Sequence, residues 1–431
     1  MSSVVTSNSI LTSGDIIKCE ITSNRDEGKK MDISAGIVMF NYYESILDST
    51  VRFTITVMDT GQGEEGNTAI SGLQLNGFEK VELVFEDNQD NKLKFEGDNA
   101  MWIAEIRNVS SHTERATYTL DLVSKEFLAN ELCGTEVYAR YDGEISESVG
   151  NILSEFLKSQ KEYEGDTTKN KYNFMGQGKK PIKLMTEVAR LSVSEEASES
   201  AGYFFYENYD GFRFKAIDVL FGEEPLKSYV YNSSTSLPEG YDAKILEYNS
   251  KGTINVKKNL LTGTYGSKME TYNPFTDIFD TAAKVVENVA QELLGGKDLP
   301  LMSEEFIRDY GLESRRFFRR LDIGELPDGD VDEQVEKSQD ENIDSKNVFM
   351  QAAMRYNKLF TIIVTIKIPG DLSLRVGELI KIDLPSQTTE KTERPDKELS
   401  GTYMISDLCH HLSSDSCLTK MRLVRDSFGR N

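Results

Sequence analysis

The chain has 431 residues, 38% of them hydrophobic and 28% charged, and its 72 acidic and 49 basic side chains leave a formal net charge of -23. A chain this acidic is repelled by nucleic-acid backbones and by anionic lipid, which argues against either as its principal partner and favours basic or polar protein surfaces. The length allows several domains; no run of about 18 apolar residues occurs, and the opening MSSVVTSNSILTSGD lacks the basic region and apolar core of a signal peptide.

Residues 1–15 read as a Ser/Thr-rich arm, and a first β-rich domain is expected over 16–138. Val51, Phe53, Ile55 and Val57 alternate with polar residues, which places them on one face of a strand. Lys80–Phe85 alternates again, Asp87–Asn91 is a turn, and Met101–Val109 and Ala116–Val123 form a further pair. Short strands at this spacing point to an antiparallel barrel or sandwich.

The pattern changes after that, and an α/β module is expected over 139–240. Val149, Ile152, Leu153 and Phe156 mark a helix over Ser146–Leu157, followed by a charged, irregular stretch over Lys158–Lys171. Pro181 opens a second helix. The runs Gly202–Glu207 and Gly211–Phe214 make a hairpin across Asp210-Gly211, where glycine supplies the positive φ.

Strands are expected again at Lys244–Tyr248, Thr253–Val256 and Thr262–Tyr272, as the first part of a second β domain over 241–275. Phe275, Ile278, Phe279, Ala282, Val286, Val289 and Leu293 recur at helical spacing up to Gly295-Gly296 and predict a long amphipathic helix. That helix opens a helical and acidic-loop insertion over 276–359, ending in a helix over Ser345–Leu359. The second β domain resumes over 360–431, with Ile362, Val364, Ile366 and Ile368 on one face, a loop over Gln387–Glu398 and a final hairpin. The fold class expected is therefore α+β and mainly β.

The chemistry-bearing residues are sparse or scattered. His410 and His411 are adjacent on a strand, point to opposite faces and do not chelate one metal together; one is expected to be buried and hydrogen-bonded and the other exposed, and His112 sits in a turn. Cys19, Cys133, Cys409 and Cys417 have no metal-binding spacing and read as free thiols, with Cys409 and Cys417 placed to face each other across the last hairpin. Asp328–Asp332 lacks the full spacing of a calcium loop, and Gly61-Gln62-Gly63 does not continue into a phosphate-binding motif. No catalytic, metal or cofactor site is expected. The one basic patch is Arg315, Arg316, Phe317, Phe318, Arg319 and Arg320, read as an interface to an acidic neighbour subunit or partner, as a helix whose arginines pair with local acids, or, against the net charge, as a surface that stacks on nucleic-acid bases.

Val376, Gly377 and Glu378 precede a strand; Ser400, Gly401, Tyr403 and Ile405 follow the loop; and His410 or His411 with Leu412 leads into a last strand ending at Arg425-Asp426. This arrangement resembles the closing barrel segment of phage tail hubs. The KKPIKLMTEVARLSV and GYFFYENYDGFRF runs are similar to the helix-plus-hairpin module of those proteins, and DSTVRFTITVMDTG to their first barrel. The chain is thus similar to the central baseplate hub of contractile-tailed bacteriophages, the myoviruses.

The resemblance implies two tail-tube-like β-barrels with an inserted α/β module and a helical insertion. It implies a homotrimeric, non-enzymatic virion protein, assembled in the host cytoplasm, with no cofactor. The trimer would adapt a six-fold tail tube, or a tube-initiator protein, to a three-fold central spike. Baseplate wedge proteins would surround it, and DNA would only pass through its channel. Because the last barrel strand lies so close to Asn431, the spike is expected to be a separate protein. Related hubs serve bacterial phage-like contractile injection systems. A glycan-binding or enzymatic β protein would need a concave site with convergent polar groups.

Overall fold

The computed structural model describes residues 14–429 apart from 27, 62–65, 113–114, 198–199, 233–235, 251–254, 275, 286–301, 323, 325–330, 333–334, 336–341, 387–394 and 415. The fold is α+β and mainly β. Asp328–Asp330, most of the Gly61-containing loop, the first part of the 387–398 loop and the second half of the expected 275–294 helix lie outside the described residues.

The first β unit lies in a 15-stranded sheet. From one edge its strands run Lys30–Asp32, Asp15–Thr22, Lys80–Glu86, Met101–His112, Arg115–Ser124, Arg52–Asp59 and Ile37–Ser45. The alternation read from Val51 to Val57 is realised: Phe53, Ile55 and Val57 are buried, while Thr54 and Thr56 on the other face bond Asp121 and Thr119. The centre is aromatic, with Phe40 against Phe85 and Tyr42 against Phe53, ring centroids 4.7 Å apart in each pair.

The second β unit is fused to the first through one long strand, Gly401–Ser413. Before an irregularity at Ser406 this strand pairs with Leu379–Asp383; after it, it pairs with Ile37–Ser45 of the first unit. Its other edge holds Ser416–Arg425, then Ile362–Pro369, then Glu247–Ser250. Ala243–Lys244 pairs in parallel with Lys227–Val230, which itself lies beside Leu379–Asp383. The segment 243–250 therefore ties the two ends of this unit together around the core positions Val364, Ile366, Ile380, Ile382, Tyr403 and Leu423.

The α/β module places helices Ile145–Glu155 and Pro181–Ala189 against the hairpin Tyr203–Asn208 and Gly211–Ala216, around Val149, Ile152, Met185, Phe205 and Phe214. The stretch expected to be irregular after Lys158 is instead built in: Tyr163–Gly165 adds a parallel strand beside Phe212–Phe214. Its charge misled the sequence reading because Lys161 is a buried partner, not a solvated one.

The region around the basic run departs most from expectation. Ile278–Val285 is a strand, antiparallel to Gly266–Asn273, where a helix was expected. Ile278 and Phe279 are both exposed, so the helical stripe they suggested is not a buried face. A short apolar run satisfies either period, and pairing with 266–273 decides between them. Arg315–Arg320 is likewise a strand, parallel to Gly266–Asn273, not a helix. Gly266–Asn273 therefore belongs to a separate three-stranded sheet rather than to the second β unit, and Val256–Thr262 is a helix. Helix Ser345–Leu359 packs on this sheet, with Phe317 against Phe349 at 5.5 Å.

Candidate functional site at the junction of three units

The turn from Gly370 to Glu378 meets all three units. Asp371 N–H donates to Thr419 Oγ1 at 3.0 Å within the second β unit, while Leu372 N–H reaches Asp87 of the first at 2.8 Å. Val376 N–H donates to Glu44 Oε2 at 3.0 Å. The other oxygen of Glu44 accepts from Tyr42 Oη at 2.6 Å and from Tyr209 N–H, at the tip of the module's hairpin, at 2.9 Å. Arg375 lies 4.7 Å over the Tyr209 ring, bonds the carbonyls of Leu372 and Leu374, and reaches Asp210 at 3.3 Å.

Glu44, Asp371 and Arg375 are held out of water, while Asp210 is exposed. Burial raises the Glu44 carboxyl above the usual range, and Arg375 and the three donors around it work against that. Burial pushes Glu378 up to about 7, although its Oε2 accepts from Arg375 N–H at 2.8 Å. His410 is fully buried, bonds Thr419 Oγ1 through Nδ1 at 2.9 Å, and is held down to about 3 by burial and then by the Arg375 charge. His411, on the opposite face, bonds Asn41.

Of the motif residues, Val376, Gly377 and Glu378 end this turn, and Tyr403 and His410 lie on the strand Gly401–Ser413 to which it bonds. Gly377 N–H donates to Ile405 O, and Ile405 N–H to Glu378 O, both at 2.9 Å. Gly377 has φ +91°, and a Cβ there would strike Tyr206 Oη of the module's hairpin. Gly377→Ala is expected to cost about 2–4 kcal/mol, from left-handed strain plus overpacking. Urea unfolding checks this, and Tyr206→Phe in the same chain should recover part of the loss.

Ser400, Gly401 and the Tyr403 ring form a second cluster around Arg425. The buried Arg425 guanidinium lies 4.4 Å over Tyr403 and bonds the carbonyls of Ser400, Glu398 and Gly429. The basic run 315–320 belongs to neither cluster.

Glu44, Arg375, Asp371, Lys161, Glu126 and Glu207 escaped the sequence reading, and Arg425 entered it only as the end of the last strand. Glu44 and Arg425 did carry a signal: each is a charge at a position whose strand neighbours two residues away are buried. Near the same junction, Lys161 Nζ sits between Glu126 at 2.9 Å and Glu207 at 2.6 Å, and Glu207 also accepts from Val51 N–H and Ser124.

An open groove of about 680 Å³ crosses the seam between the β units. It holds Cys409 and His411, but burial raises the Cys409 thiol to about 11, so it supplies no thiolate near neutral pH. Cys409 faces Lys420 in the hairpin register and Cys417 faces Leu412, so the two cysteines are not opposed as expected. The Glu44–Arg375 cluster sets buried charges and backbone donors where three units meet, and the Arg425 cluster does the same within the second β unit.

No family model and no curated protein matches the sequence. Among solved structures, the prophage MuSo2 43 kDa tail protein from Shewanella oneidensis is similar at TM-score 0.53 and 7% identity, over 96% of this chain and 98% of that one. The tail protein from Neisseria meningitidis MC58 is similar at TM-score 0.51 and 10% identity, over 95% and 96%. The fold is that of phage tail proteins. A prophage tail protein from Listeria monocytogenes EGD-e adds a third case, at TM-score 0.50 and 6% identity over 95% of each chain. The likeness covers nearly the whole chain in each case, in accord with the resemblance read from RVGELIKIDLPS and the hairpin after it.

Proposed function

We propose that this protein is a non-enzymatic structural subunit of a phage tail baseplate, the central hub. The observation that carries the reading is the end-to-end likeness of fold to two tail proteins, with nearly all of both chains covered in each case. In this reading residues 16–138 form one tube-like barrel, and the strands within 227–250 and 362–425 form the other. Three copies then present six similar β units to a six-fold tube and three to a three-fold spike, around a channel that DNA traverses. The buried Glu44–Arg375 cluster serves it by tying the two β units to the module, and the Lys161 cluster by tying the module to the first β unit. The partners are a separate spike protein, the tail tube or its initiator, and the surrounding wedges; the location is the virion tail.

Light scattering behind a sizing column tests this, with the 48.6 kDa chain alone and mixed with a candidate spike protein from the same particles. Three chain masses, alone or on mixing, are expected. A chain that stays monomeric with the spike present, and is absent from purified particles by mass spectrometry, would sink the hub reading.

A further inference from the structure

The three-stranded sheet Gly266–Asn273, Ile278–Val285 and Arg315–Arg320 has two unlike faces. On one, Ser267, Met269 and Thr271 are buried beneath helix Ser345–Leu359, and Phe317 and Arg319 pack on Phe349 of that helix. The register puts Glu270, Tyr272, Phe279, Arg316, Phe318 and Arg320 together on the other. There Phe279 stands 4.7 Å from Tyr272 and 6.5 Å from Phe318, and Phe279 and Phe318 are 65% and 62% exposed. A lone exposed phenylalanine needs no explanation; a contiguous aromatic cluster does. Arg316 and Arg320 flank it, and Glu270 is the one acid among the six, 3.6 Å from Arg316.

We propose that this outer face is the surface by which one copy of the chain docks onto another, its phenylalanines buried at the centre and Arg316 and Arg320 set against acidic side chains of the neighbouring copy. Charge complementarity favours that occupant. The strand Arg315–Arg320 carries four arginines and no acid, in a chain whose net charge is -23, so another copy offers a predominantly acidic surface. Aromatic and arginine side chains together are the composition of interface centres. The choice of a second copy over an unrelated acidic protein rests on the tail-hub reading; the existence of the docking face does not. The sequence flagged Arg315–Arg320 but hid Tyr272 and Phe279 beside it, because the strand pairing that gathers them joins residues far apart in the chain.

Sedimentation velocity of the full chain over a range of concentrations tests the proposal, at low and high salt. Phe318→Asp, and Arg316→Glu with Arg320→Glu, are expected to raise the dissociation constant of self-association by about thirtyfold or more. The arginine pair should also flatten its salt dependence. Both changes lie on an exposed face, so thermal unfolding should match the wild type. Self-association of unchanged strength in both variants overturns the surface and leaves the hub reading standing. A wild-type chain that stays monomeric at every concentration overturns the self-docking proposal, while particle composition judges the hub reading separately.

Discussion

Lys161→Met is expected to destabilise the folded protein by about 3–5 kcal/mol, because it strips the counter-charge from two buried carboxylates. Lys161, Glu126 and Glu207 are all nearly inaccessible to water. Burial works against the ammonium, and the two carboxylates beside it outweigh that and hold its pKa above the ordinary lysine value. A group whose folded pKa is raised contributes in full below its unfolded pKa, so this contribution is constant through neutral pH and is lost only far into the alkaline range. Urea unfolding at neutral pH measures the effect. Removing charge from the acids as well, with Glu207→Gln and Glu126→Gln, should recover much of the loss, since the cost is that of unpaired charge. If the single variant lost less than about 1 kcal/mol, solvent would have to reach the cluster in solution. Because Glu207 also holds Val51 N–H and Ser124, the damage should extend to the contact between module and first β unit.

The second large effect is one of pH, at the Glu378 turn. Glu378 ionises near 4.5 in an unfolded chain and near 7 in the fold, so over that window the folded state holds a proton that the unfolded state has lost. The resulting stability is complete below 4.5 and is lost as pH rises through 7, a change of about 3 kcal/mol. His410 acts in the opposite sense. Its folded value near 3 lies below the ordinary 6.5, so its contribution is complete above 6.5 and is lost as pH falls toward 3. Glu378→Gln keeps the side-chain acceptor for Arg375 N–H and removes the ionisation. It is expected to be more stable than the wild type by up to about 3 kcal/mol near pH 8, with the difference closing near pH 5. The same gap at both pH values would show that Glu378 is not the titrating group. Arg375, Glu44, Asp210 and Asp371 also face this region, and Arg375→Met should shift both transitions.

Much of the fold was legible in strands whose two faces meet different surroundings. Phe53, Ile55 and Val57, or Val364, Ile366 and Ile368, alternate because one face is core and the other is not, and that contrast is written directly into the chain. The Asp210-Gly211 turn and Pro181 at a helix start were equally plain, because the backbone conformation itself demands those residues. The segment 278–285 was misread because the periodicity of a short apolar run does not distinguish a helix from a strand. There the decision belongs to the partner strand 266–273, a pairing absent from local sequence.

By itself, then, the sequence determined the β-rich character and hairpins such as that across Asp210-Gly211, and it put His410 and His411 on opposite faces without saying which is buried. It did so because propensity, alternation and turn chemistry act over a few residues. Only the tertiary structure decided that Gly401–Ser413 serves both β units, that Glu44, Tyr209 and Arg375 meet at one turn, and that Lys161 is core. Each of those contacts joins residues dozens to hundreds of positions apart, and a charged side chain in the sequence does not show whether its counter-charge waits in the fold or in water.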